Sequence, residues 1–391
     1  MRRFATTAAA IVTAVSLAGT SAFAAVTTNP AFPSLVGNGS SFQGNFQASC
    51  SGKFTGSTVA GFSSKGKVTY TASSSGTGMT ALGSGTADFA GTDAPDIITS
   101  AYAPADGGAR AVVPITAAPI AFIYNVNDSA GNLIRNIKLT SGIISDIYLG
   151  NITKWNDAAI QVANGATYST RYKKYTGGLS TRLPNIDIKV AARTDGSGTT
   201  ANVVLYLAAN TSGKGWNASG SKNMTGGGSG TSYANTESLA SGIQKKANSA
   251  ALIEYVAQTD GTIAYADAPD VPTSIGKALL KNVAGAYVGP TSSAAAKLLT
   301  ATSVITAVSS NGYLSPAESA SLFSTNVTGA YQLTVVTYIM GSKKMSTNNK
   351  AVRAYANFIL TSCQGSAGYT RLPASLVTVA KEKAALIGSV S

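Results

Sequence analysis

The stretch Asp187–Ala209, DIKVAARTDGSGTTANVVLYLAA, decides how this chain is read. Asp187–Ala192 alternates as a short strand, Arg193-Thr194-Asp195-Gly196-Ser197-Gly198-Thr199-Thr200 is a glycine and hydroxyl turn, and Ala201–Ala209 is an apolar helix. Two earlier units share the construction. Ser34-Leu35-Val36 runs into Gly37-Asn38-Gly39-Ser40-Ser41, with a helix expected from Phe42. Lys67–Ala72 alternates and runs into Ser73-Ser74-Ser75-Gly76-Thr77-Gly78, with a short helical pattern at Met79–Leu82. In each unit glycine lets backbone approach a ligand, hydroxyls donate, and the first helical turn offers free N–H groups at a positive dipole end. That combination suits an oxyanion. One such turn is an ordinary helix cap; three, one of them carrying Arg193, point to a shared anion site. The Gly37–Phe42 turn is no Walker A loop, because the Gly-Lys-Ser/Thr ending is missing, and no dinucleotide fingerprint, because Phe42 stands at the third glycine.

Around these units, short β-type runs alternate with helical patterns, an α/β architecture. Pro119–Asn125 and Tyr331–Met340 read as buried strands, and Asn348–Cys363 places Val352, Tyr355, Ala356 and Ile359 on one helical face. The 391 residues exceed one ordinary core and predict two domains. The chain has no histidine, which excludes Ser-His-Asp and Cys-His catalysis and histidine-ligated zinc, and its two cysteines are too few for a Cys₄ metal site. A formal charge of +13 raises nucleic acid, anionic surfaces and small anions as partners without choosing among them.

Arg2 and Arg3 precede an uncharged stretch, and Ala22-Phe23-Ala24 supplies small residues where a signal peptidase reads, so residues 1–24 are expected to be a secretory signal cleaved after Ala24. Its removal takes two arginines and leaves a charge of +11. The mature chain is then exported, to a periplasm or to the extracellular surface. In that oxidising compartment Cys50 and Cys363 form one disulfide joining the ends of the chain, or else stay as two buried thiols; the compartment favours the bridge.

With these residues in view, the chain resembles the periplasmic phosphate-binding proteins that serve ABC-type phosphate uptake. The likeness rests on VGNGSSF at 36–42, TADFAGTDAP at 86–95, DIYLGNITKWND at 146–157, ARTDGSGTT at 192–200 and LPASL at 372–376. It implies a two-domain type II periplasmic-binding-protein fold with the ligand in a cleft between domains joined by a hinge. The chain crossings fall near Thr116 and Val335, giving domain I as residues 25–116 plus 336–391 and domain II as 117–335. The ligand residues it implies are Ser41, the Phe42 amide, Ser75, Asp93, Arg193, Ser197, Gly198 and Thr199; Asp195, two residues past Arg193, reads on its own chemistry as holding that arginine, its other reading being a turn or cap residue. The implied ligand is inorganic phosphate, delivered by a monomer to the membrane subunits of an ABC permease, with no nucleic acid, cofactor, metal or catalytic residue involved.

The chemistry of these residues stands without the family. A buried phosphate needs many donors, and Arg193 presents two in one plane. Asp93 is repulsive to an anion unless that anion carries a proton; monohydrogen phosphate does at neutral pH and sulfate does not, so Asp93 is expected to reject sulfate. Ser41-Phe42-Gln43 departs from the family's threonine followed by Phe-Pro, which leaves the rigidity of the loop open. Tyr168–Arg182, with Arg171, Lys173, Lys174 and Arg182 among tyrosines, reads as a solvated loop or hairpin, its other reading being contact with an anionic polymer. Thr211–Ala234 reads as an exposed loop. A secreted phosphatase and a surface adhesion or matrix protein on the same scaffold are the rival functions.

Overall fold

The computed structural model describes residues 29–96, 102–179, 182–219, 221, 224 and 239–390. The signal sequence and most of the Thr211–Ala234 loop lie outside the described residues.

Arg110–Asn125 forms one sixteen-residue strand, β4, buried on both faces throughout its interior. Its sequence, RAVVPITAAPIAFIYN, has almost no polar side chain on either face, so helices must cover both. Two prolines punctuate it where a ladder N–H is dispensable. At Pro114 the pairing with the last strand, Thr334–Ser342, slips by one residue between Thr337 and Tyr338. At Pro119 the partner changes: Pro119 still faces Thr334, whereas Ile120 faces Asp267 of the strand Thr262–Asp267.

Numbered along the chain, the other strands of this nine-stranded sheet are β1 (Leu35–Ser40), β2 (Val68–Ser73), β3 (Phe89–Thr92), β5 (Lys189–Arg193), β6 (Gln244–Lys246), β7 (Thr262–Asp267), β8 (Gly276–Lys277) and β9 (Thr334–Ser342). Their spatial order is β2-β1-β3-β9-β4-β7-β5-β6, with β8 also pairing β4. One half of the sheet, β2-β1-β3-β9 against the first part of β4, is built from the two ends of the chain. The second part of β4 with β7, β5 and β6 is built from the middle. The parallel trio β1, β2 and β3 is connected by helices α1 (Gly44–Phe54) and α2 (Ser75–Ser84), and β5 leads into α3 (Gly198–Asn210). All three glycine-serine units are therefore strand–turn–helix units. Ser41–Gln43 is a single 3₁₀ turn before α1, and α2 starts at Ser75, four residues ahead of the apolar pattern that marked it. The last strand opens at Thr334 rather than Tyr331, because the chain bends at Gln332 and Leu333 and the Tyr331 N–H donates to the Ala294 carbonyl instead of to a strand. The C-terminal helical pattern folds as α4 (Thr347–Ser362).

Cys50 on α1 and Cys363 at the end of α4 are joined in a disulfide across a sequence separation of 313. The basic segment around residue 170 is a hairpin, Thr167–Ser169 against Lys174–Thr176, and Arg182 beyond it pairs with Asp128 at 3.1 Å. No helix among the described residues is long and apolar enough to cross a membrane.

A crosslink closing so long a loop acts mainly on the unfolded chain, where the chain-entropy model gives on the order of 5 kcal/mol. Reduction, or Cys50→Ser with Cys363→Ser, is expected to lower unfolding free energy by about 2–5 kcal/mol in a denaturant titration without changing the native circular dichroism. A midpoint unaffected by reductant would show that the bridge constrains nothing.

Candidate functional site

The carboxyl ends of five strands meet at one place, as open α/β sheets arrange their ligand sites. β1 ends at Ser40 and presents Ser41; β2 ends at Ser73, just before Ser75; β3 ends at Thr92, just before Asp93; β5 ends on Arg193 and β7 on Asp267. The second and third glycine-serine turns touch directly, the Gly76 N–H donating to the Gly196 carbonyl at 3.4 Å.

Arg193 is only 2% exposed. Its Nε donates to Asp195 Oδ1 at 2.8 Å, its Nη2 donates to Asp195 Oδ2, and its Nη1 donates to Ser41 Oγ at 3.2 Å. Burial alone pulls the guanidinium down, but the Asp195 hydrogen bonds and charge more than offset it, and Arg193 stays above its ordinary range. The backbone N–H of Arg193 donates to the Tyr265 hydroxyl at 3.2 Å, and that hydroxyl also bonds Thr200 Oγ1 at 2.7 Å. The arginine is thus fixed from both ends.

Asp93, 1% exposed, receives the Ser40 hydroxyl and, at 3.2 Å, the Ser75 hydroxyl on the same oxygen, Oδ1. Its Oδ2 has no hydrogen-bond partner. Burial pushes the Asp93 carboxyl above the usual carboxylate value, against the opposing pull of Ser40, Arg193 and Ser75. Gly198 lies against that carboxylate: a Cβ at Gly198 would fall 2.6 Å from Asp93 Oδ2, so only glycine fits. The Asn202 side chain, one turn into α3, donates to the Asp93 carbonyl at 2.7 Å and ties the two halves of the sheet together.

Ser197 caps α3, its Oγ accepting from the Thr200 N–H at 3.1 Å. Three single-hydrogen donors expected to face a ligand are engaged inside the protein, one of them the Ser75 hydroxyl on Asp93. The Phe42 N–H donates to Ser40 Oγ at 3.0 Å, and Thr199 Oγ1 donates to Asp267 Oδ1 at 3.2 Å.

Sequence reading missed Ser40, Asp267 and Gln43. Ser40 sits beside the quoted Ser41 and takes the capping role. Asp267 ends an apolar strand, as Arg193 does, but Asp267-Ala268-Pro269-Asp270 reads as a turn; the strand Thr262–Ala266 running into it was the available signal. Asp267 is fully buried, its Oδ2 has no partner, and burial followed by the charges of Asp270 and Asp93 pushes its carboxyl well above the ordinary range. Asp270, which receives the Asn45 amide at 2.8 Å, is pushed up to about 6, chiefly by burial. Gln43 stands where the resembled family has proline and is fully buried. Its Nε2 donates to Thr337 Oγ1 at 2.7 Å and to the Tyr338 carbonyl at 3.1 Å, while its Oε1 accepts from Gln47, which in turn accepts from the Tyr355 hydroxyl. A polar chain holds the first loop here in place of a proline ring.

The chain is 28% identical over 319 residues to the phosphate-binding protein PstS of Xylella fastidiosa, covering 80% of this chain and 75% of that one. Phosphate-binding protein PstS 3 of Mycobacterium leprae is 32% identical over 186 residues, 45% of this chain and 42% of its own. Among solved structures, the high affinity periplasmic phosphate-binding protein PfluDING bound with phosphate superposes with a TM-score of 0.62 at 18% identity, covering 90% of this chain and 93% of that one. A phosphate binding protein from Stenotrophomonas maltophilia superposes at 0.59, with the same identity and coverage. At that identity the likeness is one of fold, and the fold is the two-lobed α/β architecture expected from the sequence. The model of the PBP superfamily domain matches residues 9–362, and the chain belongs to that superfamily.

Proposed function

We propose that this protein is an exported solute-binding protein that captures inorganic phosphate between its two lobes and hands it to an ABC-type importer. The observation that carries the reading is a buried guanidinium locked by Asp195 with one donor turned to Ser41, set beside a buried Asp93 whose second oxygen has no partner. A fixed cation supplies charge-assisted donors to an oxyanion, and a neighbouring carboxylate accepts only from an anion that carries a proton. Relatives named as phosphate-binding proteins support the same ligand.

In this reading Ser41, Ser75, Arg193 and the start of α3 at Ser197, Gly198 and Thr199 surround the phosphate, and Asp93 accepts its proton. The Phe42 amide joins them by exchanging its bond to Ser40 Oγ for the ligand. The lobes are residues 25–116 with 336–391, and 117–335; they close about the two strands that cross between them, where Thr116 faces Thr337 and Ala118 faces Val335. The mature protein acts as a monomer after cleavage near Ala24.

Calorimetric titration of the full mature chain is expected to give one phosphate per chain with no turnover of a chromogenic phosphoester. Turnover would support a secreted phosphatase, and an intact fold without phosphate affinity an adhesion role. Arg193→Ala is expected to weaken phosphate binding at least about tenfold, the scale of a lost charge-assisted pair. Asp93→Asn, which turns an acceptor into a donor, is expected to gain sulfate affinity; a variant that still ignores sulfate would remove Asp93 from the discrimination. Small-angle scattering is expected to show a smaller radius of gyration with phosphate than without.

The buried acids also set stability without ligand. Asp93, Asp267 and Asp270 are raised in the folded state, so each favours the fold when protonated. The Asp270 contribution is full below about 4, its unfolded value, and is lost as pH rises through about 6. Ligand-free protein is therefore expected to melt at a higher temperature at pH 5 than at pH 7.5. A flat profile over that range would contradict the burial of these groups.

A further inference from the structure

A hydroxyl owns one hydrogen, and the Thr199 hydroxyl has spent its own on Asp267. While Asp267 is ionised, Thr199 turns only lone pairs toward anything bound beside Arg193. A phosphate dianion placed at the start of α3 would meet an acceptor where it needs a donor, and such an unmatched polar contact in a buried site is costly.

Asp267 is placed to resolve this. It is fully buried at the end of β7, so bulk water does not satisfy it, and its Oδ2 has no hydrogen-bond partner. The charged and titratable groups facing it come from every side of the site. Asp270 follows it on the same segment, Asp93 faces it from the opposite half of the sheet, and Arg193 is the one cation acting directly on it. Tyr369 is close enough for its hydroxyl to feel both Asp267 and Asp270, and Lys277 acts on Asp270 while its Nζ donates to the Ala268 carbonyl at 2.8 Å. One guanidinium, already claimed by Asp195, thus stands against Asp93 and Asp267, while Lys277 faces the nearby Asp270. An incoming anion adds negative charge to that group and drives it to take a proton.

We propose that Asp267 is a positioning residue that sets the direction of the Thr199 hydroxyl. As a phosphate dianion binds, one proton passes from solvent to the Asp267 carboxylate. The Asp267 O–H then donates to Thr199 Oγ1, and the Thr199 O–H swings to donate to phosphate. No bond other than these O–H bonds is made or broken, and one proton is taken up for each dianion held. The inference rests on the phosphate reading above and adds that binding is proton-linked through a residue that need not touch the ligand.

The test is phosphate titration calorimetry on the mature chain between pH 7.5 and 8.5, where free phosphate is mostly dianionic, in buffers of different ionisation enthalpy. Wild type is expected to take up about one proton per phosphate, and its Kd to rise about tenfold per pH unit as linkage to one proton requires. Asp267→Asn is expected to take up none and to show a flat Kd over that range. A residue that merely braced α3 would change Kd by the same factor at every pH. Asp267→Asn protein that keeps the wild-type proton count would overturn the proposal and move the proton to Asp93 or Asp270. Wild type that binds phosphate with no proton uptake overturns it without any variant, so an unfolded mutant does not shelter it. Wild type that binds no phosphate would instead overturn the reading on which it stands.

Discussion

Burying a guanidinium is the constraint around which the site is built. Charge taken out of water costs several kcal/mol per ion unless partners replace the lost solvation, and Arg193 is 2% exposed. Asp195 replaces much of it by taking two of its donors in a single plane. What remains is a directed donor toward Ser41 and a positive potential that reaches Asp93 and Asp267. Asp93 and Asp267 thus share the field of one buried arginine, with Lys277 acting on Asp270 beside them.

Holding that arrangement in place calls for rigid supports, and the fold supplies them at strand ends. Ser41, Asp93, Arg193 and Asp267 are the last or next residue of a strand, and Ser75 and Gly198 are the first of a helix. Gly198 brings backbone against Asp93 where any side chain would collide, and Gly39, at φ +148°, lets β1 run against Gly91 of β3. Under the first loop, the chain from Tyr355 through Gln47 and Gln43 to Thr337 links four elements by side-chain hydrogen bonds inside the core. Such a network rigidifies when every member is satisfied, as these are.

Much of this was legible before any coordinates. The three strand–turn–helix units could be read because glycine and serine clusters interrupt apolar runs, a signal carried by adjacent residues. Arg193, Asp195 and the start of α3 belong to that class. Helix starts were read late where, as at Ser75, the first turn has no apolar face of its own. Asp267 was not legible for a different reason: its meaning lies in Thr199, 68 residues away, and a carboxylate before Ala-Pro has an ordinary local explanation. Gln43 likewise appears in sequence only as a missing proline, since its partners are Thr337 and Tyr338. Local chemistry can be read from the chain; a hydrogen bond across the sheet cannot.

The place of β9 carries a consequence for how the molecule comes into being. It is the last strand in the chain, yet it lies between β3 and β4 in the middle of the sheet, pairing Ser342 with Arg110 and Met340 with Ala90. A ribosome delivers it more than two hundred residues after the neighbours it must separate. The strands β4 to β8, by contrast, are complete before β9 emerges. Closing such distant contacts is slow, because the loop entropy is lost before the pairing returns it. The half of the sheet that carries Asp93 at the end of β3 is thus closed by a strand that comes more than two hundred residues after β4 in the chain.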